Sequence, residues 1–221
     1  MLVNLVRNDA TRDSGLQFYL CNMMAVMIFD TDRRGKLVSQ VELNAYTRWL
    51  SGAVTEAMHH FIGHGTYAPQ GDLRYVAVAA AHITHMLRDT FDDLRAGYFN
   101  IPREVLEAGH ITPEDIHSDA YRAWVQSRVK LARSYFKEGR QYLNQVANLR
   151  CRLAGLAYTA RFEWLLSAIE KQDYCLQPEY NLGQRVDPAQ LLRWLAQSLR
   201  DKRLDANSSP RNIQVRERQL R

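Results

Sequence analysis

Apolar residues recur along this chain with the three-to-four-residue spacing of amphipathic helices, and no sustained stretch alternates apolar and polar residues as a strand would. Start and stop signals divide the pattern into segments. The predicted helices run from Asp13 or Ser14 to about Asp30, Ser39 to Gly63, Leu73 to about Arg95, Pro102 to Leu106, from Thr112, from about Asp119 to Ala147, about Arg150 to Ile169, and from Asp187 through Leu199. We therefore predict an all-α fold.

Local signals mark the helix ends. Ser39-Gln-Val-Glu42 predicts a capping box, and Gly97 predicts the end of the central helix. The polar segment from Asp30 to Gly35 predicts a turn after the first helix. That first helix is expected to bury Leu16, Leu20, Met23, Met24 and Met27.

The central helix carries the candidate chemistry. Its apolar run from Tyr75 to Leu87 leads into Asp89, Asp92 and Asp93. On a helix, the four-residue spacing places Asp89 and Asp93 side by side, and their mutual repulsion would be relieved by a cation. Paired carboxylates suit Mg²⁺, which also binds water and phosphate oxygens. A solvated face of carboxylates paired with arginines is the alternative interpretation of the same spacing.

Histidines extend this face toward the N-terminus of the helix. His82, His85, Asp89 and Asp93 could form a transition-metal or phosphohydrolase site, but no His-Asp dipeptide or Glu-x-x-His pattern supports that class. Magnesium remains the better match to the paired carboxylates.

Composition and charge add limits. The chain of 221 residues has 46% hydrophobic residues and a formal charge of +5, as expected for one globular domain over residues 1–201. Residues 202–221 hold six Lys or Arg against two Asp or Glu, which predicts a basic, disordered tail. No nucleic-acid-binding module accompanies that tail, so nucleic acid is not an expected partner.

The location follows from the cysteines and the N-terminus. Cys21, Cys151 and Cys175 are widely spaced, which favours buried free thiols in a reducing compartment. No signal-peptide pattern begins the sequence, and the apolar run from Phe18 to Phe29 is too short to span a bilayer. We expect a cytoplasmic protein with peripheral membrane contact as an option.

The segment from His82 to Pro102 also matches a known family motif. The matching residues are Leu87, Arg88, Asp89, Asp93, Arg95, Gly97 and Pro102, with Asp92 where a Glu is usual. On these residues the chain resembles the squalene/phytoene synthases, which join prenyl groups head to head. Weaker matches are Tyr46, Gly52 and Val54, then Met27 and Asp30, and Arg185 with Val186. The resemblance covers about Phe18 to Leu199 and implies an isoprenoid-synthase-type helical bundle.

The resemblance implies a prenyltransferase that condenses two prenyl diphosphates, such as farnesyl or geranylgeranyl diphosphate, with Mg²⁺-assisted loss of diphosphate. Mn²⁺ is an alternative metal, and isoprenoid, carotenoid or hopanoid biosynthesis is the implied setting. The implied metal ligands are Asp89, Asp93 and Asp92; the implied diphosphate-binding residues are Arg88, Arg95 and His85; the implied catalytic residues are Tyr46 and Arg88. Without the resemblance, Tyr46 could equally be a core tyrosine.

Three residues depart from the motif, and a second motif has no counterpart. His82, His85 and Tyr98 stand where the family has Gln, Asn and Arg. The family's first aspartate-rich motif is not matched in these 221 residues, so we expect the chain to be N-terminally short relative to the family. Two alternatives follow: an impaired relative acting as a binding or assembly module, or a partial chain whose first motif comes from missing helices or a partner chain.

Overall fold

The chain is helical through the part that the computed structural model describes, residues 15–63 and 68–180. Its helices are α1 (Gly15–Arg33), α2 (Gln40–Phe61), α3 (Leu73–Arg88), α4 (Thr90–Ala96), α5 (Arg103–Gly109), α6 (Asp119–Gln145) and α7 (Leu149–Lys171). These residues contain no strand, so the predicted all-α class is confirmed.

Helix α1 continues one turn beyond its predicted end. Arg33 Nε donates to Asp30 Oδ1 at 2.8 Å, so polar residues that suggested a turn instead complete the helix. The chain turns at Gly35, which has a φ of 73°. Its N–H donates to the carbonyl of Gly97 at 2.7 Å, which joins the end of α1 to the end of α4.

The buried face of α1 also differs from the prediction. Met24 and Met27 are 56% and 59% exposed, whereas Val26 is buried. Because α1 packs mainly against α2, only a narrow stripe of its surface is covered, and the two methionines lie outside it. The other predicted core residues of α1 are buried or half-buried: Leu16, Leu20 and Met23.

The predicted capping box opens α2. The backbone N–H of Glu42 donates to Ser39 Oγ at 3.2 Å, and the N–H of Ser39 donates to the Glu42 carboxylate at 2.7 Å. Two N–H groups that the first helical turn leaves without partners are thereby satisfied. The local prediction at this helix start is confirmed.

The central helix is broken, contrary to the prediction of one helix from Leu73 to Arg95. Asp89 has φ −89° and ψ 5°, and it separates α3 from α4. The hydroxyl of Thr90 donates to the carbonyls of Met86 and Leu87, a contact that bends helices. The bend therefore falls at one of the candidate metal ligands. Gly97 ends α4 with a φ of 83°, as predicted.

The predicted helix start at Thr112 is wrong. The backbone N–H and hydroxyl of Thr112 both donate to Asp115 Oδ2, but the residues form turns. Ser118 caps the next helix by accepting from the N–H of Tyr121, and α6 begins at Asp119. Asp115 satisfies the donors of the turn itself, so the cap signal at Thr112 is used without a helix.

Helix α3 lies at the centre of the bundle and contacts α2, α6 and α7. Its small residues Ala80 and Ala81 are fully buried. On α6, a Cβ built at Gly139 would lie 2.5 Å from the Cβ of Ala77, so these two helices approach through small side chains. The position of α3 is thereby fixed on several sides.

Several predictions lie outside the described residues or are only partly met. The helix predicted from Asp187 and the tail at residues 202–221 fall outside the described part, and so does the predicted domain boundary at residue 201. Free thiols are found, but only Cys151 is buried; Cys175 is half-buried and Cys21 is exposed at the surface of α1. No helix in the described ranges has the length and hydropathy needed to cross a membrane.

Candidate active site

A cavity of about 450 Å³ opens beside the break between α3 and α4. We call it the carboxylate cavity, because three aspartates from two parts of the chain line it. Its lining residues are Val26, Asp30, Arg33, Tyr46, Leu50, His82, His85, Met86, Asp89, Asp93, Tyr98 and Asn100.

Asp89 is held by two neighbours on α3. Arg88 forms a two-pronged ion pair with it, Nε to Oδ1 at 2.6 Å and an amino group to Oδ2 at 2.9 Å. His85 Nδ1 lies 3.1 Å from Asp89 Oδ2. Burial lowers the pKa of His85, more than the Asp89 charge raises it, so the ring is neutral at neutral pH. Nδ1 then donates to Asp89, and Nε2 accepts from Arg88.

Asp93 is the less neutralised of the two carboxylates. It accepts a hydrogen bond from the side-chain amide of Asn100, and it has no ion pair among the described residues. Burial raises the pKa of Asp93, and the nearby charge of Asp89 raises it further, while the Asn100 hydrogen bond opposes both. A bound cation would relieve this unfavourable negative charge.

A partly buried chain of hydrogen bonds connects Tyr46 to Asp93. The Tyr46 hydroxyl donates to Asp30 at 3.0 Å, and Asp30 accepts from Arg33 at 2.8 Å. Arg33 donates onward to Asn100 at 3.0 Å, and Asn100 donates to Asp93. Burial, followed by the Asp30 charge, raises the pKa of Tyr46, so its hydroxyl stays protonated and able to donate.

Arg33 is the cation at the centre of this chain. It is 7% exposed, and its guanidinium carbon lies 5.0 Å from the ring centre of Tyr46 and 4.9 Å from that of Tyr98. Such contacts between a cation and an aromatic face stabilise a buried arginine. Tyr98 stands where the family motif has an arginine, and in this chain its ring stabilises the neighbouring Arg33.

His82 is buried against Tyr46, with ring centres 4.8 Å apart in an edge-to-face arrangement. Its Nε2 has no hydrogen-bond partner among the described groups. Burial lowers the pKa of His82 to about 3, so it is a neutral ring at the wall of the cavity.

The structure gathers only some of the predicted site residues. Tyr46, His85, Asp89 and Asp93 line the cavity, and Arg88 reaches it through its ion pair with Asp89. Asp92 and Arg95 instead pair with each other at 2.8 Å, with side chains 72% and 69% exposed. They lie on the solvent side of α4 and do not line the cavity.

Arg33 and Asn100 were missed by the sequence analysis. They are 67 residues apart and hydrogen-bonded across the fold, so no local spacing pairs them. One signal was present for Arg33, because it follows Asp30 at the i, i+3 spacing of helical ion pairs.

The carboxylates of the cavity fit a magnesium ion that takes its remaining ligands from water and substrate. Within the described ranges, no three His, Cys, Asp or Glu side chains are gathered as a ready-made metal site. Mg²⁺ seldom requires one, since it commonly binds one or two carboxylates and takes its other ligands from water and substrate phosphates. Asp93, half-buried and without an ion pair among the described residues, and Asp89 one turn away supply that kind of partial site.

The fold and the site together define an all-α bundle protein with an acidic cavity at a broken central helix. Comparison with known proteins gives the family. The squalene/phytoene synthase model matches residues 9–205, so the chain belongs to the squalene/phytoene synthase family. It has the helical isoprenoid-synthase fold that the resemblance implied.

Individual relatives match parts of the chain. Chloroplastic phytoene synthases from Daucus carota and an Oncidium hybrid cultivar are 31% and 29% identical over 99 residues, which is 43% of this chain. The matches span 25% and 24% of those proteins, so the chain covers about a quarter of their length. The crystal structure of squalene synthase HpnC from Alicyclobacillus acidocaldarius matches with a TM-score of 0.60 at 22% identity, over 74% of this chain and 61% of that one.

Proposed function

We propose that this protein is a prenyltransferase of the squalene/phytoene synthase type. It condenses two prenyl diphosphates, with farnesyl or geranylgeranyl diphosphate as the candidate substrates, in isoprenoid biosynthesis. The observation that carries the proposal is the carboxylate cavity, in which Asp89 and Asp93 face the same space as Tyr46. Family membership supports the same reaction class.

The chemistry requires a diphosphate to leave an allylic carbon. Bound by Asp89 and Asp93, Mg²⁺ or Mn²⁺ would neutralise the charge on the departing diphosphate. Arg88 would hold Asp89 in place through its ion pair, and Asn100 would do the same for Asp93. Each carboxylate would thus be oriented before substrate arrives, which favours binding of the charged group.

Tyr46 has a donor role in this proposal. Its hydroxyl is protonated and donates its one hydrogen to Asp30 in this structure, so in the proposal it turns from Asp30 to the diphosphate when substrate binds. A positioned hydroxyl can stabilise negative charge on the diphosphate as that group leaves. We assign Tyr46 to the diphosphate side, and His85 to orienting Asp89 through its Nδ1–H.

The apolar part of the substrate needs a dry wall, because water would capture a developing carbocation. Val26, Leu50 and Met86 supply apolar surface to the same cavity. We propose that the prenyl chain contacts these three side chains while the diphosphate lies against the aspartates.

Asp92 provides a matched control for testing the site. Asp93→Asn and Asp92→Asn make the same chemical change at adjacent residues, one in the cavity and one in solvent. With Mg²⁺ and farnesyl or geranylgeranyl diphosphate, we expect pyrophosphate release by the wild-type chain. Asp93→Asn should slow that release by about 100-fold, whereas Asp92→Asn should change it less than about twofold. Equal effects of the two substitutions would contradict the assignment.

A second candidate function is a binding or assembly module without catalysis. The observation that favours it is the ion pair by which Arg88 already neutralises Asp89, in a chain where the first aspartate-rich motif is not matched. A related version is a chain that becomes active when a partner chain supplies that motif. Cytoplasmic location and peripheral membrane contact stay predictions.

Thermal unfolding separates these candidates. Mg²⁺ with a non-hydrolysable prenyl diphosphate, at about 100 times its dissociation constant, should add about 2.7 kcal/mol and raise the melting temperature by about 5–10 °C. Stabilisation without turnover would support the partner-dependent version. No stabilisation and no turnover would support the non-catalytic module and contradict the proposed enzyme.

A further inference from the structure

A second cavity, of about 660 Å³, lies between α1, α2, α3 and α6. We call it the Arg128 groove, after the half-buried one of the two arginines that line it; the other, Arg48, is exposed. It shares no lining residue with the carboxylate cavity. Its volume is within the range of about 300–1,000 Å³ typical of small-molecule sites. None of the residues assigned to the prenyl reaction lies in it.

The walls of the groove are largely apolar. Val76 and Ala79 on α3 face it together with Leu131 on α6. Phe18 of α1 and Tyr75 of α3 stack across one end, with ring centres 6.3 Å apart and an interplanar angle of 15°. Such a surface suits a hydrocarbon chain.

Arg128 supplies an unpaired positive charge. It is half-buried, and within the described part of the chain it makes no hydrogen bond or ion pair. Burial lowers the pKa of Arg128, because the surrounding protein disfavours the charged form. A partly buried cation without a counter-ion is unfavourable, and an anionic ligand would remove that penalty.

No carboxylate of the groove can serve as that counter-ion. Among the described residues that line the groove, Asp72 is the one acidic side chain, and it lies at the start of α3. Arg128 lies near Ile83 on α3, because both residues line this groove and also a second, small cavity beside it. Asp72 and Ile83 are separated by eleven residues, or about 16 Å along a helix. The charges of Asp72 and Arg128 therefore lie at opposite ends of the groove.

Trp124 carries an unpartnered donor beside this end of the groove. It lines the adjoining cavity of about 10 Å³, which shares Thr47, Ile83 and Arg128 with the groove. Trp124 is 8% exposed, and its indole N–H has no acceptor among the described groups. Buried indole N–H groups normally have a partner, so an acceptor is missing at this end.

We infer that the Arg128 groove binds an anionic amphiphile, with its carboxylate or phosphate head at Arg128 and its apolar chain along Val76, Ala79 and Leu131. The inference does not depend on the prenyl reaction, since the two cavities have no lining residue in common. A fatty acid and a prenyl monophosphate present the same combination of head and chain, and the binding experiment distinguishes them.

Titration calorimetry of the full chain, with a metal chelator present, tests the inference. The probes are dodecanoate, farnesyl monophosphate, the uncharged alcohols dodecanol and farnesol, and inorganic phosphate. We expect one anionic amphiphile to bind in a ratio of one per chain and at least about tenfold more tightly than its alcohol. The tighter of dodecanoate and farnesyl monophosphate identifies the preferred head group. Inorganic phosphate binding as tightly as both would overturn the inference.

Variants locate the site. Arg128→Met should weaken binding by about tenfold or more, whereas Lys130→Met, an equal charge change at an exposed position of α6, should change it less than about twofold. Asp93→Asn in the carboxylate cavity should leave binding unchanged. Loss of binding in Asp93→Asn with full binding in Arg128→Met would contradict the inference, as would absence of binding to either amphiphile.

Folding controls keep the result interpretable. Arg128→Met should not lower the free energy of unfolding, because Arg128 has no partner among the described residues to leave behind. Val76→Trp is a second variant, which fills the groove from its half-buried wall and should abolish amphiphile binding without changing the charge. Full binding to a folded Val76→Trp protein would also overturn the inference.

Discussion

Replacing Arg33 by methionine should destabilise the fold strongly, although the change keeps most of the side-chain volume. Arg33 is 7% exposed and donates to Asp30 at 2.8 Å and to Asn100 at 3.0 Å. The substitution removes both hydrogen bonds. Asp30 then keeps the hydrogen bond from Tyr46 but loses its cation, and Asn100 Oδ1 loses its donor. Removing one member of a buried ion pair costs about 3–5 kcal/mol. Because the side chain of Asp30 is 35% exposed and partly solvated, we expect about 3 kcal/mol.

Urea unfolding followed by circular dichroism measures this loss. A decrease of about 3 kcal/mol should lower the midpoint by about 1 M, given the slopes usual for globular domains. Arg34→Met is the matched control, since Arg34 is exposed and makes one hydrogen bond to the carbonyl of Ala96. It should change the free energy of unfolding by less than about 0.5 kcal/mol.

The double variant tests the physical cause. Adding Asp30→Asn to Arg33→Met removes the carboxylate that lost its cation, so it should restore at least about 1 kcal/mol. Equal stability losses for Arg33→Met and Arg34→Met would refute the claim that Arg33 organises the hydrogen-bond chain. A double variant less stable than Arg33→Met alone would refute the role of Asp30 as its counter-charge.

Two further predictions concern helix packing and pH. Gly139→Ala should destabilise by about 1–3 kcal/mol in urea unfolding, because its Cβ would meet the backbone of Ala77, while Lys137→Ala on the exposed side should have little effect. Burial lowers the pKa of His82 to about 3, below its unfolded value of about 6.5, so the unfolded chain binds a proton first and stability falls as the pH drops through that window. Between pH 7 and about pH 5, His82→Gln should therefore lose about 2 kcal/mol less stability than the wild type, and parallel pH curves would contradict this.

Local signals predicted the helix class and several helix ends. The capping box of Ser39 and Glu42 and the left-handed glycine at Gly97 depend on neighbours within a few residues, and both are present. The break at Asp89 could not be read from residue types, because no Gly or Pro marks it. It is associated with the hydroxyl of Thr90, which bonds to two carbonyls of the preceding turn.

The site was partly predictable for the same reason. The i, i+4 spacing correctly placed Asp89 and Asp93 beside one cavity, since a main-chain hydrogen bond still connects them across the break. Asp92, the residue before Asp93, faces solvent and pairs with Arg95. For this residue the alternative interpretation, a solvated face of carboxylates paired with arginines, is the one that fits. The link from Arg33 to Asn100 depends on the tertiary fold and had no local signal.

The central claim is that Asp93 belongs to a Mg²⁺-dependent diphosphate site. Titration calorimetry with a non-hydrolysable farnesyl diphosphate analogue tests it most directly, with and without Mg²⁺, on the wild type, Asp93→Asn and Asp92→Asn. We predict binding that requires Mg²⁺, that weakens by about tenfold or more in Asp93→Asn, and that is retained in Asp92→Asn. Binding of equal strength without Mg²⁺, or an equal loss in the two variants, would contradict the claim.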